Sequence, residues 1–253
     1  MNRDPPEADW QVADEYSALM HCDRRAFAWE WLRRTTRYRR LWAIRDRLPA
    51  HAPTRVGLLT WIDPSTTAPE ARPIWTPATD PKVLRTRAGS QKNAPGDTVD
   101  ILALADYLSV AIDEAHAEHW LFSDGRWLIR LMHRDGTLLG RSAILEHEIS
   151  GLNSAVPKIA ALRQLVALAE HGEMPASLHP RETRAARWIL ELRTADALAA
   201  GASQKMIAQG LFGKTVTPCR WRVENASYRS RVQRLVKTAQ RYLADPFSGP
   251  WFR

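Results

Sequence analysis

Cysteine is nearly missing from this chain: Cys22 and Cys219 are the only two among 253 residues. Two isolated thiols make no disulfide framework, and no Cys-x-x-Cys or Cys/His array offers a zinc site, so a reducing compartment is the expectation. Long apolar runs are missing as well. No stretch approaches the roughly 20 residues that cross a bilayer, and the opening Met1-Asn2-Arg3-Asp4-Pro5-Pro6-Glu7 lacks the apolar core of a leader. A cytoplasmic protein without membrane partners is therefore expected. Acid is in short supply too, with 28 Asp and Glu against 36 Lys and Arg, a formal charge of +8.

Signatures of catalysis are equally scarce. Gly213-Lys214-Thr215 matches the tail of a phosphate-binding loop, but Ala208 stands where the first glycine belongs and a helix precedes it. His116 and His119 fit neither metalloprotease spacing and read as surface histidines; Glu146-His147-Glu148 reads as solvated helix. No nucleophile–base order emerges from the spacing. The chain reads as a non-enzyme that needs neither metal nor cofactor.

What the sequence does have is a concentrated excess of base. Between Arg181 and Leu243 thirteen Lys and Arg face only Glu182, Glu191, Asp196 and Glu224. A second cluster, Arg24 to Arg47, holds nine arginines against Glu30 and Asp46, so the remainder of the chain is net acidic. Positive charge gathered on one compact unit is the electrostatic footprint of phosphate binding. The Arg24–Arg47 cluster has three readings: a second DNA contact, a dock for the acidic middle, or a surface for transcription machinery. The eleven Trp are many for this length, and most should anchor cores or junctions between units.

Composition divides the chain into three units, 1–95, 96–175 and 176–253. The expected class is α+β, mainly α. The first unit has a helix capped by Asp23 and a second from Tyr38 to Leu48, then a Pro-punctuated stretch, 49–95, with at most edge strands. The middle holds a small antiparallel hairpin or meander: His119–Phe122, a turn at Ser123-Asp124-Gly125, then Trp127–Met132, with a second turn at Asp135-Gly136 into Thr137–Leu139. The periodicity leaves Ile101–Val110 as helix or strand. Helices are expected over Ser142–Ile149 and Val156–Glu170.

The last unit reads helix, glycine, short helix, long turn, helix. Arg181–Ala200 ends at Gly201, Ser203 caps a two-turn helix closed by Gly213, and a final helix spans Asn225 to Leu243. On a helical wheel of the last helix, Val232, Leu235, Val236, Ala239, Tyr242 and Leu243 fall within roughly 220–340° of Arg229, and Arg229, Ser230, Gln233, Arg234, Lys237, Gln240 and Arg241 within about 0–140°. A solvated face normally mixes signs to gain i,i+4 pairs, and this one carries no carboxylate. The order is that of a helix-turn-helix with an extended turn, its last helix suited to the major groove.

The run Gly201-Ala-Ser-Gln-Lys-Met-Ile-Ala-Gln-Gly-Leu-Phe-Gly213, with Trp221 and Tyr228-Arg-Ser-Arg-Val-Gln-Arg-Leu-Val236, resembles the C-terminal extended-turn helix-turn-helix of FseA-type transcriptional activators of proteobacterial integrative and conjugative elements. Phe27-Ala-Trp-Glu-Trp-Leu-Arg-Arg34 and Tyr38-Arg39 are similar to that family's small N-terminal domain. The resemblance departs at the C-terminus, where Asp245–Arg253 replaces a glycine-rich tail. It implies a DNA-binding activator of excision and transfer genes, acting on promoter DNA with RNA polymerase. It also implies an acidic antiactivator that captures the N-terminal domain. Carried over by position, Tyr228, Arg229, Ser230, Gln233 and Arg234 read bases; Arg220 and Arg222 clamp phosphates; Ser203, Gln204 and Lys205 lie near the backbone; Lys237 and Arg241 follow it. Trp221 reads as core. Trp29, Trp31, Arg33, Arg34 and Tyr38 take the interdomain or partner role. The competing class is an antiactivator or adaptor that binds proteins and not DNA.

Overall fold

The structure, a computed structural model, describes residues 8–89, 97–140, 142–213 and 226–252. Helix α1 (Arg24–Arg34) starts where Asp23 accepts a hydrogen bond from the Arg25 amide at 2.8 Å, the expected cap. Its four arginines and one glutamate would suit a solvated helix, yet everything from Arg25 to Arg33 is buried. Charge survives at that depth only when partnered. Arg25 donates to Asp23, and at 2.9 Å to both Asp80 and the Leu128 carbonyl. Arg33 donates to Glu30 at 2.8 Å, and Arg34 forks onto both oxygens of Asp196 at 2.8 Å each while also bonding Glu30. The Tyr16 hydroxyl donates to the same Asp196 at 2.7 Å.

Helix α2 (Thr36–Ala43) is shorter than the expected Tyr38–Leu48. The chain tightens to a 3-10 turn at Arg45–Arg47, and Leu48 is extended (φ −97°, ψ 154°), the conformation that Pro49 imposes on its predecessor.

The middle is larger than a hairpin. Six strands form one mixed sheet in the order β2-β6-β1-β5-β4-β3, comprising β1 (Leu84–Ala88), β2 (Thr98–Val99), β3 (Leu108–Ile112), β4 (Glu118–Ser123), β5 (Leu128–Arg134) and β6 (Ala143–Glu148). The β4–β5 hairpin turns at Gly125 as expected, while two readings are corrected. The Pro-punctuated stretch supplies a central strand and not an edge: β1 is free of proline and pairs parallel with β5 and antiparallel with β6. Ser142–Ile149 contains strand β6 and not a helix, because pairing with β1 on one side and β2 on the other outweighs a weak local preference. Ile101–Val110 divides into a 3-10 helix, Ile101–Tyr107, and the start of β3. Asp135 and Gly136 do turn the chain, both at positive φ, but Thr137–Leu139 forms no strand.

Alternate side chains of β4 and β5 serve opposite faces. Trp120, Phe122, Ile129 and Leu131 pack on Ala161, Leu165 and Leu168 of α3 (Leu152–His171). Leu121 and Leu128 face Ile74 on the other side. Also on β5, the fully buried Arg130 donates to the Trp75 and Trp120 carbonyls, tying the sheet to the N-terminal unit.

The two basic ends share one core. Residues of the first unit, from Tyr16 to Trp75, pack with α4 (Ala185–Ala199) and α6 (Ala226–Ala244). Trp251 lies at the centre, its ring centroid 4.9 Å from Trp188, 5.3 Å from Tyr242 and 6.1 Å from Phe27. Trp31 of α1 meets Tyr242 at 5.0 Å.

Two expectations follow. Trp251→Ala should lower unfolding free energy by about 3–5 kcal/mol in urea titration, the usual effect of emptying an aromatic site in a core. Burial pushes the Asp196 carboxyl up, but the charge and hydrogen bonds of Arg34 outweigh it and hold the group below its ordinary value; Glu30 is likewise held low by Arg34 and Arg33. A carboxylate with a depressed folded-state pKa stabilises fully above its unfolded value, about 4, and loses that contribution as pH falls through the folded value. The melting temperature should therefore drop below about pH 4, and Asp196→Asn, less stable at neutral pH, should show a shallower acid limb.

Candidate nucleic-acid interface

Three helices place the basic face. Helix α4 starts at Ala185 and not at the expected Arg181, and it buries Ala185, Trp188, Leu192 and Ala195 along one side. Gly201 follows at φ 77°, a left-handed position that suits glycine. Ser203 then caps α5 (Gln204–Phe212), its hydroxyl accepting from the Met206 amide at 3.3 Å. Ile207 and Ala208 pack on Ala197 of α4, Val232 of α6 and Trp10. Trp10 lies so close to Gly210 that an added Cβ would sit 2.3 Å from its ring. Arg193 donates to the Trp10 carbonyl at 2.8 Å and secures that contact.

Helix α6 divides as the wheel predicts. Val232, Leu235, Ala239 and Tyr242 are buried, while Ser230, Gln233, Arg234, Lys237, Gln240 and Arg241 are exposed; Tyr228 and Arg229 are half-buried. No carboxylate occurs between Ala226 and Ala244. Arg234 donates to Ser230 Oγ at 3.1 Å, one turn earlier, which aims the guanidinium along the exposed face toward the helix start. The Tyr228 ring lies 5.4 Å from Phe212 at the end of α5. Gln204 is exposed and Lys205 half-buried at the start of α5. Arg220, Arg222 and Trp221 lie outside the described residues.

The residues assigned from the N-terminal run divide by what they touch. Trp31 and Arg34 reach α6 and α4. Trp29, Arg33 and Tyr38 hold the segment 62–66: Trp29 Nε1 donates to the Thr66 carbonyl at 2.9 Å, Arg33 to that of Pro64 at 2.9 Å, and Tyr38 to that of Ile62 at 2.6 Å.

Sequence reasoning missed several residues. Arg231 stacks on the Phe212 ring at 4.3 Å, a cation–π clamp between α5 and α6. Arg184 and Arg187 share a cleft with Arg241. Both arginines were visible in the basic run, but nothing in their spacing indicates that α4 brings them beside α6. Trp251 offered only its residue type as a signal.

The histidine reading needs correction. His119 is buried, because β4 is covered on both faces, and its Nε2 lies 2.9 Å from Asp113 Oδ2. Burial lowers its pKa against the opposing pull of Asp113. Glu146, His147 and Glu148 lie on β6 and not on a helix. Among the described residues no group of three or more His, Cys, Asp or Glu could hold a metal ion.

Comparison with known families adds two matches. Residues 9–59 match the model of a proteobacterial transcriptional regulator-like domain. Residues 150–245, from α3 through α6, match that of a type VI secretion system (T6SS) transcription factor, DNA-binding domain. Comparison with curated proteins finds no match. The second match covers the helices that carry the exposed basic face, and the first covers the segment that packs against them. Together the two matches indicate a DNA-binding transcriptional regulator.

Proposed function

We propose that the protein activates promoters of mobile-element excision and transfer genes, with α6 lying in the major groove. The single observation that carries the reading is the exposed, carboxylate-free face of α6 on a helix whose other side is fixed in the shared core. Arg and Gln suit bidentate contact with guanine and adenine edges, so Arg229, Gln233 and Arg234, with Tyr228 and Ser230, are the readers. Lys237 and Arg241 follow the phosphates, joined by Ser203, Gln204 and Lys205 at the start of α5 and by Arg220 and Arg222. The unit 176–253 is thus the reader, and the N-terminal unit holds it while presenting Arg37, Arg40 and Arg55 outward to RNA polymerase or to an acidic antiactivator.

Arg229→Glu/Arg234→Glu should abolish promoter binding in a mobility-shift assay while the variant still folds and melts cooperatively; full affinity in that variant would contradict the assignment. Gln233→Ala should cost about 1–3 kcal/mol and relax base preference, whereas Lys237→Ala should weaken all sequences alike. A promoter-fused reporter should lose expression with the double reversal if the regulator activates, and gain it if the regulator represses.

A further inference from the structure

Between α4, α6 and the chain after α6 lies a cleft of about 560 Å³. Arg184 and Arg187 enter it from the start of α4 and Arg241 from the last turns of α6, while Thr238 and Ser248 add hydroxyls. The Arg241 guanidinium stacks over the Tyr242 ring at 4.7 Å and is thereby held in place. At the start of α4 the Ala185 and Arg187 amides already bond the Glu182 and Arg184 carbonyls and Glu182 Oε1 takes the Arg184 amide, so the attraction for an anion rests on the three guanidinium charges.

One group is out of keeping with a plain anion site. Glu191 is 2% exposed; its Oε1 accepts from Arg187 at 3.1 Å, and its Oε2 is buried with no hydrogen-bond partner among the described residues. Burial raises its pKa despite Arg187 and Arg241 nearby. A buried acceptor left unmatched is costly, and beside three arginines it asks for a donor that arrives with the anion.

We propose that this cleft binds a small phosphate that brings its own O–H donor, inorganic hydrogen phosphate or a compact hydroxylated phosphate ester. The arginines and hydroxyls take the anionic oxygens; because Oε2 is closed to solvent, the mostly exposed Arg187 turns from Glu191 onto the anion and the ligand's O–H takes its place at the carboxylate. A DNA phosphodiester carries no such proton and its deoxyribose no 2′-hydroxyl, so the duplex backbone satisfies the arginines but not Glu191. Trp188 and Tyr242, which also line the cleft, pack on Trp251 at the junction of the two basic ends. Occupancy therefore bears on how firmly α6 is held.

The test is calorimetric titration of the full chain with inorganic phosphate and, separately, with sulfate at about pH 8, where phosphate keeps a proton and sulfate has none. Expected is saturable one-to-one binding of phosphate, about tenfold tighter than sulfate, weakened about tenfold by Arg184→Ala. Glu191→Gln should bring the two anions close to equal affinity. Arg229→Glu/Arg234→Glu should leave phosphate binding intact, and because the titration holds no DNA its outcome does not depend on whether α6 reads a duplex. Absence of saturable phosphate binding by the wild type, or a phosphate preference that survives Glu191→Gln, overturns the proposal. So does an Arg184→Ala variant that titrates phosphate like the wild type but loses promoter affinity in a separate mobility-shift assay, which assigns the cleft to the duplex backbone. Melting curves of each variant show whether a loss reflects the site or the fold.

Discussion

The fork between Arg34 of α1 and Asp196 of α4 joins the two ends of the chain across 162 positions of sequence. Glu30 and Tyr16 complete the cluster, so that each buried charge meets an opposite charge or a hydroxyl. Beside it runs the aromatic line of Trp31, Tyr242, Trp251 and Trp188. The polar cluster fixes which surfaces meet, because a shifted register would leave guanidinium groups buried without carboxylates. The aromatic line adds apolar burial through large flat side chains with few rotamers to lose. Helix α6 inherits its rigidity from that junction, and the outward direction of its arginines is a consequence of how its inner side is held.

The same logic governs the sheet. Strands β4 and β5 are buried on both faces, by α3 on one side and by the N-terminal unit on the other. Arg130 at that second interface meets no carboxylate at ion-pair distance among the described residues, and burial pushes its pKa down to about 10 against the weaker pull of Asp80. It remains charged at neutral pH, held by backbone carbonyl oxygens. The sheet is therefore tied to the N-terminal unit by polar contacts as well as by packing.

Much of the helical interface was legible because its signals are local. Asp23 and Ser203 announce caps, Gly201 a helix end, and the wheel of α6 separates Val232, Leu235, Ala239 and Tyr242 from Arg234, Lys237 and Arg241 using nothing beyond a period of 3.6. What stayed hidden depends on distant partners. Arg33 and Arg34 carry no sign of which carboxylates they meet until Glu30 and Asp196 are placed around them. Leu84–Ala88 looks like an edge until β5 and β6 flank it, and Ala143–Glu148 has the composition of a helix until β1 and β2 take up its backbone groups. His119 looks like a surface residue until both faces of β4 are covered. In each case the local preference is weak and a long-range pairing decides.

The central claim is that DNA is held through phosphate contact along the basic face of α6. The most direct measurement is the salt dependence of affinity for a promoter duplex. Five cationic phosphate contacts require a linear fall of log affinity with log salt, amounting to about 500-fold between about 50 and 200 mM. A slope near zero, with affinity retained at the higher salt, would contradict the account.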